Sequence, residues 1–142
     1  MSEKGYNTNL AAEFYVLSSL HRMGLNATLT LGNKKAVDIA VIVNEGHVIT
    51  IDVKGVAAKM DWIFGDGQLH TAANHIIALV GYENRIDEIG QPPRVWIVPS
   101  QKMKRFIVTA KNGKTKYVPR KRFLEEGKKY ENAWHLFQGM TQ

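Results

Sequence analysis

One stretch constrains this chain more than any other: Gly32 to Gly55, reading GNKKAVDIAVIVNEGHVITIDVKG. Residues 36–43 and 47–53 are rich in β-branched side chains, which suit a pleated surface. Asn44-Glu45-Gly46 lies between them. A three-residue hairpin loop places its last residue in the left-handed region, where Gly is least strained. With Gly46 in that place, Val43 pairs with His47, Ile39 faces Ile51 and Asp38 faces Asp52. Lys54, two residues past Asp52, shares its face. A two-residue turn at Glu45-Gly46 would instead set Asp38 opposite Val53, on the other face. Asn-Gly, not Glu-Gly, is the favoured two-residue turn, so the three-residue loop is the expectation.

The expected register gathers two carboxylates and an ammonium. Neighbouring carboxylates repel and stay ionised only with a cation between them. Mg²⁺ takes oxygen ligands and keeps positions for water and substrate phosphates. A nearby Lys orients or deprotonates the attacking water and offsets developing charge. The plainer reading is a half-buried strand with a polar outer face. Against it, that outer face also carries Ala36, Ala40 and Ile42.

Asp, a hairpin, then Asp-x-Lys resembles the signature of the PD-(D/E)xK nuclease superfamily, the restriction-endonuclease-like fold. Asp38 matches its first acid and Asp52-Val53-Lys54 its triplet, while Val37 stands where the family's Pro would be. The resemblance implies an α/β fold with a central mixed β-sheet, an N-terminal helix and flanking helices. It implies metal held by Asp38, Asp52 and the carbonyl of Val53, with Lys54 catalytic. Glu13 on the first helix falls where a family Glu often completes the shell, and Gln68 stands where some members place a Gln or Lys. The implied cofactor is Mg²⁺ or Mn²⁺.

The 142 residues suffice for one domain with a single core. The longest apolar runs fall short of a membrane span, and the N-terminus has no apolar signal core, so an intracellular, cytoplasmic protein is expected. With no cysteine, disulfides, zinc-thiolate sites and thiol nucleophiles are excluded. The net charge of +6 is uneven: residues 101–142 hold 11 Lys and Arg against 3 Asp and Glu, while residues 1–100 hold 8 against 10. A basic segment on a near-neutral body suits a polyanion partner, here DNA. Lys104, Arg105, Arg120, Lys121 and Arg122, with Lys116 and others nearby, are candidate phosphate contacts. Lys34 and Lys35, beside the hairpin, are further candidates.

Residues 8–24 read as the first helix, with Leu10, Phe14, Leu17, Leu20 and His21 as its inner stripe and Gly24 as its end. Glu13 lies within that stripe, and a buried carboxylate needs a partner. Residues 26–31 read as a short strand. Residues 74–82 and 94–98 read as strands buried on both faces at the sheet centre. Trp62 is expected in the core or a lid. Residues 106–109 and 116–119 suit a hairpin turning at Asn112-Gly113. Residues 128–137 suit a final helix with Tyr130, Ala133, Trp134 and Phe137 inward. The five histidines show no metal-binding spacing and are read as structural.

The expectation is a metal-dependent endonuclease cutting phosphodiester bonds in DNA. The alternative is a non-catalytic nucleic-acid-binding module of the same fold. A homodimer is expected from function alone, since cutting both strands symmetrically needs two sites.

Overall fold

The computed structural model describes residues 3–30, 37–67 and 69–141. Lys34, Lys35, Ala36 and Gln68 lie outside the described residues. The first helix, α1, spans Glu3–Arg22 and so begins five residues before its expected start. Gly24 follows its end as expected, and the Leu25 N–H reaches back to the Leu20 carbonyl at 3.1 Å.

The inward stripe differs from expectation. Thr8, Ala12, Val16 and Leu20 are buried, whereas Phe14 is 53% exposed. Close approach explains the choice. A Cβ placed on Gly55 would lie 2.6 Å from the Ala12 Cβ, so small side chains must face the sheet. Gly55→Ala is therefore expected to destabilise the fold by about 1–3 kcal/mol through overpacking. A urea midpoint equal to the wild type's would show that α1 retreats freely.

Three strands follow as an antiparallel meander: β1 (Ala27–Leu29), β2 (Ile39–Asn44) and β3 (His47–Val56). β4 (Trp62–Gly65) leaves this sheet. β5 (His75–Gly81) returns parallel to β3, and β6 (Arg94–Pro99) is antiparallel to β5. The main sheet is thus mixed, in the order β1-β2-β3-β5-β6. β5 is buried along its whole length, as its apolar run implies. β6 is an edge strand rather than a central one. Its outer side is closed by residues 131 and 132: Glu131 bridges Trp96, and the Asn132 N–H donates to the Val95 carbonyl at 2.8 Å.

The chain continues through α2 (Ser100–Met103) to β7 (Val108–Thr109) and β8 (Lys116–Val118). β7 and β8 pair as the expected hairpin. β8 also pairs with β4, giving a second sheet in the order β4-β8-β7. That second sheet is not visible in the sequence pattern, because β4 occupies a stretch whose only clear signals are aromatic residues and a turn. α3 (Arg120–Glu126) occupies a basic run that gives no helical apolar pattern. The expected C-terminal helix is broken. A short helical turn covers Lys128–Tyr130, Asn132 has φ 54, and α4 spans only His135–Met140. Tyr130, Ala133 and Phe137 are nevertheless buried, as expected.

Two cores result. One lies between α1 and one face of the main sheet, where Ala12, Val16 and Leu20 meet Ile39, Val41, Ile49, Ile51 and Val53. The other lies between the opposite face and the small sheet, where Trp62, Trp96 and Phe123 meet Ile77 and Leu79. The three aromatic rings pack edge to face, with centroids 5.3–5.8 Å apart.

Candidate active site

The hairpin register decides which side chains meet. Ile39 pairs with Ile51, Ala40 with Thr50, Val41 with Ile49 and Ile42 with Val48. The pairing ends at Ile39 with Ile51, as expected, one residue short of Asp38 and Asp52. The turn reaches this alignment by another route. Asn44, not Val43, pairs with His47, and the register shifts between Ile42 and Asn44. A bulge at Val43 absorbs one residue, so a tight turn at Glu45-Gly46 coexists with the three-residue register. Gly46 takes the left-handed conformation, with φ 85.

Alternation along β3 then separates the faces. Ile49, Ile51 and Val53 enter the α1 core, and Thr50, Asp52 and Lys54 turn toward the small sheet. The ladder ends at Asp38. The Val53 N–H donates to the Asp38 Oδ2 at 2.7 Å, where a regular ladder would use the Val37 carbonyl. The Asp38 backbone is held from both sides, its N–H donating to the Ile51 carbonyl at 3.0 Å and its carbonyl accepting from the Thr30 N–H at 2.9 Å. The Thr30 hydroxyl donates to the Val37 carbonyl.

A cavity of about 190 Å³ opens over this face, lined by Asp52, Lys54, Phe64, His70, Ile77 and Lys116 among others. The Lys54 Nζ lies 5.5 Å from the centre of the Phe64 ring. Lys116, on β8, brings a second ammonium from the opposing wall. A larger cleft of about 820 Å³ lies elsewhere, between the start of α1 and the chain beyond Gly55, and no predicted site residue lines it. Volume alone would favour that cleft, but Asp52, Lys54, His70 and Lys116 line the smaller one.

Glu13 is buried at 6% exposure, as its position on the inner side of α1 implies. α1, however, packs on the sheet face opposite Asp52 and Lys54. Among the described residues, no three Asp, Glu or His side chains form a group able to hold a metal ion. The structure thus sets Asp52 and Lys54 on one face of β3 at the cavity and brings the Asp38 carboxylate to the Val53 N–H, and among the described residues neither Asp38 nor Glu13 joins a group of three with Asp52.

The candidate phosphate contacts divide. Lys104, Arg105, Lys121 and Arg122 are exposed. Arg105 and Arg122 share the Glu126 carboxylate at 3.3 and 2.5 Å and lie over the Phe106 ring. Arg120 does not face outward. Its side chain is 16% exposed, and its guanidinium donates to both Glu83 oxygens at 2.8 and 2.9 Å. Glu83 also accepts from Arg94 at 3.0 Å, and Arg94 pairs with Glu131 at 2.8 Å. The Arg94 hydrogen bond holds the Glu131 carboxyl below its usual range, and the same bond raises the Arg94 guanidinium. A guanidinium fork shared between two carboxylates suits Arg better than Lys.

Sequence reasoning missed one residue of the site. His75, read as structural, is fully buried and binds both Thr50 and Asp52. Only the parallel pairing of β3 with β5 brings it there, aligning Thr50 with His75 and Asp52 with Ile77. No local spacing signals such a pairing.

The mixed sheet and its N-terminal helix define an α/β fold. In structure the chain is similar to a bacterial homing endonuclease, I-Ssp6803I. The TM-score is 0.55 at 16% identity, over 96% of this chain and 91% of that one. A likeness at that identity speaks for the fold; function is argued from the site. No protein-family model matches the chain, and no curated protein matches it significantly. Among the described residues, no helix is long and apolar enough to cross a membrane.

Proposed function

We propose that this chain is a divalent-metal-dependent endonuclease of the PD-(D/E)xK type, hydrolysing phosphodiester bonds in DNA. One observation carries the reading: Asp52 and Lys54 share one face of β3 at a cavity that Lys116 also lines, and the Asp38 carboxylate accepts from the N–H of Val53, the residue between them. The nuclease-like fold and the exposed cations Lys104, Arg105, Lys121 and Arg122 support it.

The donor set fits Mg²⁺ or Mn²⁺. Both ions favour carboxylate and carbonyl oxygen, and Mg²⁺ commonly takes only one or two carboxylates, with water and phosphate completing its shell. Asp38, Asp52 and the Val53 carbonyl supply such donors. The resemblance adds Glu13, on α1, to them. When bound, the ion polarises the phosphate and acidifies water. The protein's own groups do the rest. Asp38 and Asp52, each held through Oδ2, keep their carboxylates at fixed positions. Lys54 orients the attacking water and offsets charge growing on the phosphate, and Lys116 holds that phosphate from the opposite wall. Exposed Lys and Arg position the duplex without reading its sequence.

The test is cleavage of supercoiled, linear, branched and single-stranded DNA with Mg²⁺ or Mn²⁺, against an EDTA control. The plasmid also separates nicks from double-strand cuts, the latter calling for a second copy of the chain. Lys54→Ala is expected to reduce the rate by about 10²-fold or more while leaving DNA binding in place. Binding without any cleavage would instead support a non-catalytic nucleic-acid-binding module.

A further inference from the structure

We infer that His75 is a positioning residue for the metal-binding carboxylate of Asp52, acting with Thr50 as the far end of one hydrogen-bonded chain. The inference rests on the proposed function and assigns His75 a task within the same site.

His75 opens β5, and its side chain is 0% exposed, whereas that of Asp52 is 25% exposed at the cavity. Its Nε2 lies 3.1 Å from the Asp52 Oδ2, and its Nδ1 lies 2.7 Å from the Thr50 hydroxyl. An ionised carboxylate only accepts, so Nε2 carries the proton that Asp52 receives. In the neutral ring Nδ1 then accepts from the Thr50 hydroxyl, and that bond fixes the tautomer. Thr50 and Asp52 are alternate residues on one face of β3, so a single ring spans both. The His70 ring packs edge-on against His75, with centroids 4.5 Å apart, and helps fix its plane. Among the described residues, His75 is the hydrogen-bonding partner of the Asp52 carboxylate. The Val53 N–H likewise donates to the Asp38 Oδ2. Each acid is thereby oriented by a donor from the protein. Such partners behind a ligand set its direction, and losing one commonly weakens metal binding by about 10- to 100-fold.

A buried His that only fills and satisfies the sheet would matter for stability and leave metal affinity alone. Two amide substitutions separate these roles. The Gln amide reaches roughly the place of Nε2 and keeps a donor toward Asp52. The Asn amide reaches only the place of Nδ1, so it satisfies Thr50 and releases Asp52. Thr50→Val keeps the branched shape and removes the hydroxyl that fixes the tautomer.

The measurement is MnCl₂ titration by calorimetry on the full chain without DNA, with thermal melting in EDTA to establish folding. His75→Asn is expected to weaken Mn²⁺ binding by about tenfold or more, with His75→Gln close to wild type and Thr50→Val weakened in the same direction. Equal Mn²⁺ affinity in folded His75→Asn and wild type overturns the inference and leaves the proposed function standing. If neither His75 variant folds, Thr50→Val decides, and an unchanged affinity overturns it. A wild type that binds no Mn²⁺ overturns both the inference and the metal-dependent reading.

Discussion

Asp52→Asn is expected to lower metal-dependent DNA cleavage by about 10³-fold or more, the largest catalytic loss predicted for a single atom change here. A bound cation contributes several kcal/mol to stabilising charge on a phosphate, and each ~1.4 kcal/mol is a factor of ten. The change keeps size and shape. An Asn oxygen can still accept from His75 Nε2, now 3.1 Å from the Asp52 Oδ2, so the fold should be retained. What disappears is the negative charge the cation needs. DNA binding in EDTA is expected to hold or improve, because a carboxylate beside the phosphates is removed. Full cleavage by Asp52→Asn would sink the proposed site, whatever the fold.

Trp62→Ala is expected to cost about 3–5 kcal/mol, a large share of the roughly 5–15 kcal/mol that holds a domain folded. Trp62 is buried on β4, and its ring meets Trp96 and Phe123 edge to face. Its Nε1–H donates to the Val80 carbonyl at 3.2 Å, joining the small sheet to the main one. Removing the ring leaves a cavity and breaks that link between the sheets. Trp62→Phe keeps part of the bulk and should lose less. Because β4 also carries Phe64 beside Lys54, cleavage at low temperature should fall even where Trp62→Ala remains folded. Urea unfolding that places Trp62→Ala within about 1 kcal/mol of wild type would refute this placement.

Much of the candidate site was legible, because it lies on one hairpin. Period-two alternation and a glycine turn were enough to pair Ile39 with Ile51 and to set Asp52 and Lys54 on one face. The detail that failed was the turn itself: two readings looked exclusive, and the bulge at Val43 joined them. The α1 stripe failed for a different reason. Sequence favours the bulkiest residues inside, yet Gly55 brings the strand so close that Ala12 fits there and Phe14 does not. Non-local partners were not legible at all. His75 meets Asp52 through a crossover, Lys116 enters the cavity through the small sheet, and Arg120 turns inward to a Glu83 that lies 37 residues earlier. Each depends on which strand lands beside which, and no window of neighbouring residues holds that information.

The closed side of β6 bears on how copies of this chain can associate. A free sheet edge offers a row of donors and acceptors to any passing strand. Here the Val95 carbonyl is already taken by Asn132, Glu131 bridges Trp96, and the carboxylate of Glu131 is bound to Arg94 on that same strand. The opposite edge, β1, is only three residues long. Neither end readily templates the addition of another strand. Two copies would therefore not readily join through the ends of the main sheet, and open-ended fibre growth by extending that sheet is disfavoured from the outset.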